Sequence, residues 1–536
     1  MDRYRTAKEL LAKVPGVLEA ALYLRHRLLP PSRSEFSWNS FPGWMEDLKR
    51  LRPKRIRESR AKVLLFGMND NMISMILAIA TILLSRDCDV DFAFLPFTNY
   101  AEEDPLSVVK SNRFHYWSCV RGRNVPGLRF IDVSSLPMMP PSVEMEGQAN
   151  TQGLIDVKWW LLREELDLQG APEVRKLLEF RTRRNLDCMR GFSGLLASAE
   201  YDAIITLNGN IMEFGALYRV GRILGKPVTS FEFAERLETI VFSSDRPAVW
   251  VDTSRLWAED FPHILSTSAR NNIEELIFIR KGTNWGGFAN VYQSAKYDGA
   301  RKDTLARLKM RDDGSPIVLV CPNIAWDSAW LGLDRAFPSM LSWLRQTAAY
   351  FARRPECQVI VRAHPAEHYA GTAEPVLEVI RASLGELPAH FRLVEAEESL
   401  NTYDLMDICD VGLVYNSTTG LEMALRGIPV VVTALPHYGR KGFTTDVDTP
   451  EQYFYALEYL LADPKSGKLS DRQRELAWCY ADIYFFRWPQ PFPWSITNFW
   501  ADLGKWPVSR VLSDEGRTTF GPTFDLLVGR NERPDG

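Results

Sequence analysis

The chain has 536 residues, 46% of them hydrophobic and 25% charged, with a formal net charge of −4. That length exceeds one ordinary hydrophobic core, so two or three globular units are expected. The slight acidic excess argues against nucleic acid as a partner. Seven cysteines without CxxC or Cys/His ligand spacing imply neither a disulfide framework nor a metal site, and suit a reducing cytoplasm.

Residues 1–60 read as a helical leader whose end gathers Lys49, Arg50, Arg52, Lys54, Arg55, Arg57 and Arg60. Such a cluster either meets an anionic lipid or polysaccharide, giving peripheral contact with the inner membrane face, or is a solvated helix face. The first residues lack the charged, apolar, small-residue order of a signal peptide. The longest apolar stretch, 72–84, runs about 13 residues where a membrane helix needs roughly 20, and predicts a buried core helix.

At Ala61 the pattern changes to strand, turn and helix: AKVLLF, then Gly67-Met68-Asn69-Asp70, then the apolar helix, with VDFAFLP as the next strand. Residues 100–200 show little periodicity. DAIITLNGN, a helix to Gly225 and KPVTSFEF make a further β-α-β unit, after which 245–300 read as linker. A second series starts at Pro316 with IVLVCP, QVIVRAHP, FRLVEA, DVGLVYN and PVVVTAL. Strands alternating with helices imply parallel sheets with right-handed crossovers. The expected fold is α/β, with two doubly wound Rossmann-like domains facing a cleft. The first takes 61–300 with its linker and the second 301–465. An aromatic segment, 466–512, is expected to return as helices to the first domain, and 513–536 to form a polar tail.

Open α/β sheets bind ligands at the carboxyl ends of their strands. Five loops of the second unit fall there: 323–327, 364–367, 395–400, 416–419 and 436–443. The second of these follows Arg362 and opens with His364 and Pro365. The proline fixes the turn, and His364 either caps a helix or donates to a phosphate oxygen or leaving group. The fourth carries Ser417, Thr418 and Thr419, followed by Gly420, at a helix start. One hydroxyl suffices for an N-cap; three, with free N–H groups and the helix dipole, also make an anion site. Gly420 gives a ligand close approach, and Glu422 offers a carboxylate to ribose hydroxyls. In the fifth loop Arg440 or Lys441 is a candidate for neutralising phosphate charge. Across the cleft an acceptor hydroxyl needs a general base. Asp70 is the first choice, because Gly67 allows a sharp turn there; Glu232 is second, and Glu235 is a further candidate.

These motifs resemble a known family. RAHPAE, YNSTTGLEMALRGIPVVV and HYGRKGFTTD are similar to segments of the capsule polysaccharide biosynthesis proteins, a GT-B glycosyltransferase group that includes bacterial Kdo transferases. LNGN…GKPVTSFE and PNIAWDSA follow that pattern too. The resemblance covers most of 300–465 and, more weakly, 61–240. The His-Pro and Ser/Thr elements also resemble bacterial sialyltransferases and polysialyltransferases, in which the pair holds a CMP-sugar. The acidic-acidic-glycine element of those enzymes is not evident in the first domain; Asp312-Asp313-Gly314 precedes the first strand of the second.

The resemblance implies a metal-independent glycosyltransferase. It would move a sugar from a nucleotide-sugar donor, CMP-linked by preference, to a surface polysaccharide or a lipid-linked glycan precursor. His364, Ser417 and Thr418 would hold the donor phosphate and Glu422 the ribose. Two alternatives share the architecture: a UDP-N-acetylglucosamine 2-epimerase, and a catalytically silent scaffold that binds glycan.

Overall fold

The computed structural model describes residues 10–28, 36–51, 60–68, 70–95, 99–120, 125–260, 265–282, 296–463, 467–495 and 498–530. The first sheet holds β1 (Ala61–Gly67), β2 (Cys88–Phe94), β3 (Leu128–Asp132), β4 (Ala203–Leu207), β5 (Thr229–Phe233) and β6 (Thr239–Ser243), in the order β6-β5-β4-β1-β2-β3. The second holds β7 (Ile317–Cys321), β8 (Gln358–Arg362), β9 (Phe391–Val394), β10 (Val411–Val414), β11 (Val430–Val432) and β12 (Thr445–Asp446), in the order β12-β11-β10-β7-β8-β9. β6 runs antiparallel to β5, and the ladders joining the other strands are parallel. Strand order reverses between β1 and β4, and again between β7 and β10. Such switch points open a crevice beyond the strand ends.

Parallel strands are covered on both faces, which explains their nearly unbroken apolar runs. β7 sends Ile317, Leu319 and Cys321 to one core and Val318 and Val320 to the other. The apolar stretch predicted as a core helix is the helix Asp70–Leu84, with Met75 to Ala80 fully buried on the first sheet. β3 and β6 escaped the sequence pattern; β3 buries only Ile131 well, so its strand shows no clean alternation.

The expected boundaries need correction at several points. The leader is not separate: Phe41, Trp44, Met45 and Leu48 of the helix Phe36–Leu51 enter the first core. The linker helix Thr267–Arg280 already packs on the second domain through Ile273 and Leu276. The helix Asp471–Asp482 also stays there, burying Ala477 and Tyr480. The chain crosses back only after Trp488, where β13 (Gln490–Pro491) joins the first sheet antiparallel to β6. Nor is the C-terminal segment merely a polar tail. Residues Asp514–Leu527 form a helix whose Phe520, Phe524 and Leu527, spaced four and three apart, face the first core. Residues 531–536 lie outside the described chain.

A loop of the first domain caps a helix of the second. The buried Glu164 accepts the backbone N–H groups of Met340 and Leu341 at 2.8 and 2.7 Å, the first turn of the helix Met340–Phe351. The next donor, Ser342 N–H, is taken by the Ser339 hydroxyl. Beside it Glu165 meets Arg345 in a bidentate pair at 2.7 and 2.9 Å, half exposed to water. Burial pushes Glu164 up to about 7 despite its two amide donors.

Replacing Glu164 by alanine strands two buried amides and removes a cap, a loss of about 1–3 kcal/mol. Arg345→Ala breaks an exposed pair worth under about 1 kcal/mol. Thermal melts should therefore rank Glu164→Ala clearly below Arg345→Ala; the reverse order would show that the cap does not hold the domains. Because the folded carboxyl titrates above its unfolded value, its contribution is full below pH 4.5 and lost as pH rises through about 7. The wild-type advantage over Glu164→Gln should shrink across that window.

Candidate functional site

The carboxyl ends of β7, β8 and β10 meet at one cleft. Its walls are Cys321 and Pro322 at the end of β7, Arg362 to Pro365 at the end of β8, Thr402 and Tyr403, Thr419 and Glu422 after β10, and Arg280 from the linker helix. His364 and the Ser/Thr segment, about fifty residues apart in sequence, are thus neighbours. The loop 395–400 reaches the cleft one step later than expected, through Thr402 and Tyr403. The loop 436–443 packs behind it.

His364 is the best defined member. Its Nδ1 accepts the Ala366 N–H at 3.1 Å. With that nitrogen an acceptor, the neutral ring carries its proton on Nε2. Burial, with the charges of Arg362 and Arg280 close by, pushes the imidazole down to about 4. The ring is therefore a neutral donor at physiological pH. Its sequence neighbours are structural. Arg362 donates to the carbonyls of Glu395 and Leu400, bracing the adjacent loop. Glu367 accepts the Val376 N–H at 3.1 Å, holding the start of the helix Val376–Leu384.

The hydroxyl segment divides its work. Thr419 faces the cleft. Ser417 is buried beneath it, donating to the Thr419 hydroxyl at 3.0 Å and accepting the Thr419 N–H at 3.3 Å. Thr418 occupies the N-cap position of the helix Thr419–Leu425 without a side-chain cap bond. The reading of Gly420 as room for a ligand is overturned. The Tyr438 ring fills the space a side chain there would take, and its hydroxyl donates to Ser417 O at 2.6 Å. Gly420 serves packing.

Sequence reasoning missed Arg280. Its Nε donates to Glu422 Oε1 at 2.6 Å and its Nη1 to Glu235 Oε2 at 3.0 Å. One guanidinium thus ties the loop after β5 to the helix after β10, with both the arginine and Glu422 6% exposed. Glu422 lines the cleft but shares its carboxylate with Arg280. The arginine ends a helix with no motif around it, and no linear pattern marks it. Lys441 and Arg440 are not in this cleft: Lys441 is buried and donates to Ser254 Oγ at 3.1 Å, while Arg440 pairs with Asp448. In the same loop His437 stacks on Tyr484 with centroids 3.8 Å apart, and burial pushes it down to about 3.

On the first domain, Glu232 stands at the end of β5. Asn208 Nδ2 donates to its Oε2 at 2.7 Å and Phe233 N–H to its Oε1 at 2.9 Å, while burial raises its pKa. Asn208 has a left-handed φ of 60°. Gly209 follows at 82°, with Ser230 Cβ only 2.8 Å from where a side chain would begin, so glycine is required there. Asn210 reaches across to the second domain, donating to Trp330 O at 2.9 Å. Asp70 opens its helix after β1, but its side chain and all of Asn69 lie outside the described residues. Gly67 does not make that turn: it is the last residue of β1, and a side chain would meet Ile73 and Ile76 at an ordinary 3.5 Å. Among the described residues no group of three or more His, Cys, Asp or Glu could hold a metal ion.

Residues 268–456 match the family model described as capsule polysaccharide biosynthesis protein. A comparison with curated proteins returns no match. Among solved structures, the Thermosulfurimonas dismutans KpsC beta Kdo 2,4 transferase is 15% identical over 55% of this chain and 82% of its own, with a TM-score of 0.34. The sucrose-phosphate synthase of Thermosynechococcus elongatus is 14% identical over 80% and 95%, at 0.28. The UDP-GlcNAc 2-epimerase of Neisseria meningitidis, bound to UDP-GlcNAc, is 14% identical over 78% and 94%, at 0.23. Scores and identities of this size say nothing about activity.

The His364 geometry makes a direct spectroscopic prediction. Ring nitrogen NMR should find the Nε2–H tautomer unprotonated at Nδ1 throughout pH 5–8, with titration near 4. An ordinary midpoint near 6.5 would mean the ring is not held as described.

Proposed function

We propose, from the match of residues 268–456 to the capsule polysaccharide biosynthesis protein family, that the chain is a glycosyltransferase using a nucleotide-sugar donor. The neutral His364 ring in the strand-end cleft carries this reading. Its Nδ1 is occupied by a backbone amide and its Nε2 bears the proton, so it donates to a phosphate oxygen without changing charge. Thr419 adds a hydroxyl from the opposite wall, and Glu422 a carboxylate for ribose. Ser417 acts through Thr419. A CMP-linked sugar is the favoured donor, on the likeness of the His-Pro and Ser/Thr elements to the sialyltransferases.

In the reaction, an acceptor hydroxyl oxygen attacks the anomeric carbon and the bond to the phosphate oxygen breaks. The hydroxyl proton passes to a carboxylate, and His364 stabilises the charge growing on the leaving phosphate. Glu235 is engaged by Arg280, which leaves Glu232 and Asp70 as candidates for the base. Glu232 has the chemistry required, because burial raises its proton affinity while Asn208 and the Phe233 N–H hold its carboxylate in place. The acceptor is a surface polysaccharide or lipid-linked glycan precursor. Peripheral membrane contact belongs to the same reading, since Val17, Leu24 and Leu28 stand exposed on the helix Val17–Leu28. Vesicle sedimentation tests that contact, and a chain left in the supernatant with anionic vesicles would end it. No helix among the described residues is long and apolar enough to cross a membrane.

Incubation with CMP- and UDP-sugars plus glycan acceptors distinguishes the readings. Transfer with release of nucleotide supports the proposal, an isomerised sugar means an epimerase, and no conversion means a binding scaffold. Turnover undiminished by EDTA is expected of a metal-independent transfer. His364→Ala should weaken donor affinity by the value of a charge-assisted bond, about 1.5–3 kcal/mol, with little change in Tm. Glu232→Gln should lower turnover roughly 10²–10⁴-fold with donor binding intact. If it keeps full activity and Asp70→Asn loses it, the base is Asp70.

A further inference from the structure

We propose that Arg280 is the cation that meets the donor phosphate, and that Glu235 and Glu422 hold its guanidinium in place from opposite domains. This deepens the nucleotide-sugar reading, on which it rests. A phosphate entering the cleft brings negative charge, and a cation must stand near to receive it. The two bases of the loop 436–443 do not: Lys441 is buried against Ser254 and Arg440 is paired with Asp448. The cations that line the cleft beside His364 are Arg280 and Arg362. Arg362 is spread beneath the β8 end, donating to two main-chain carbonyls. Arg280 stands at the junction of the domains.

Its geometry suits the task. A guanidinium carries five N–H donors in a rigid plane, and the carboxylates of Glu422 and Glu235 engage one on Nε and one on Nη1. These two bonds fix the plane before any ligand arrives, which is the condition for strong electrostatic stabilisation. The main chain is pinned as well. Asn401, fully buried, donates from Nδ2 to Lys281 O at 2.9 Å while its Oδ1 accepts the Tyr403 N–H at 2.9 Å. The guanidinium also lies over the Phe485 ring, 5.8 Å from ring centre to Cζ. The charge of Arg280 is felt at His364, where it helps keep the ring neutral. A phosphate bound at Arg280 is therefore linked through Glu235 to the first domain, where the acceptor's base must lie.

Calorimetry with CMP, UMP and UDP, each set against its nucleoside, reads the phosphate contribution separately from the base and ribose. Wild type should bind at least one nucleotide about tenfold or more tighter than its nucleoside, the size expected of a charge-assisted contact. Arg280→Gln should abolish most of that gain while nucleoside affinity stays within about twofold, as loss of one phosphate contact requires. Arg280→Lys keeps a positive charge beside the two carboxylates, guarding against a variant that fails to fold, and should lose part of the gain because the fork is gone. Glu235→Gln should reduce the gain less than Arg280→Gln does, because it loosens the guanidinium without removing it. A folded Arg280→Gln or Arg280→Lys protein with the full phosphate gain makes the arginine a structural latch and overturns the assignment. If wild type binds none of the nucleotides, the nucleotide-sugar reading itself falls and takes this role with it.

Discussion

The junction of the molecule is a charge triad, Glu235–Arg280–Glu422, in which the arginine and Glu422 are buried. Three segments from different parts of the chain meet there: a first-domain loop, the linker helix and a second-domain helix. Taking such charges out of water is costly, and hydrophobic groups of the same shape would often be more stable. Removing one partner from a buried pair costs about 3–5 kcal/mol, because the others are left uncompensated. The triad thus fixes relative position more than it adds stability. The pose of Glu422 and part of the charge felt by His364 depend on where that guanidinium lies.

A second contact works differently. At another point of the interface, Glu164 satisfies backbone amides rather than a side-chain cation. Asn210 likewise donates to a main-chain carbonyl. Main-chain partners do not change with the identity of a side chain, so these contacts set the approach of the domains. The ion triad, made of side chains, is the part that a charged ligand can perturb.

Much of the sheet architecture was legible in the residues, and the reason is physical. Parallel strands buried on both faces need nearly continuous apolar runs, and IVLVC at 317–321, VIV at 359–361 and VGLV at 411–414 are such runs. A loop after such a strand is fixed to one edge of the sheet, so the nearness of His364 and Thr419 is a consequence of topology. Boundaries failed where helices change allegiance. The helix Asp471–Asp482 runs without a break into the aromatic turn Ile483–Arg487, and only tertiary packing assigns both to the second core. Gly420 was misread because a glycine leaves room equally for a ligand or for a neighbouring ring, and Tyr438 is eighteen residues further on. Arg280 was invisible because its two partners lie 45 and 142 residues away. Local pattern holds no trace of such spacing.

The Glu164 cap also makes one helix a gauge of domain separation. The amides of Met340 and Leu341 are protected by a carboxylate that leaves with the first domain. The amide of Ser342 is protected from within, by Ser339. When the domains part, the first two protons become open to solvent while the third keeps its partner. Hydrogen exchange at these three consecutive amides would then differ in kind, the first two following the rate of interdomain opening and the third the fraying of the helix itself.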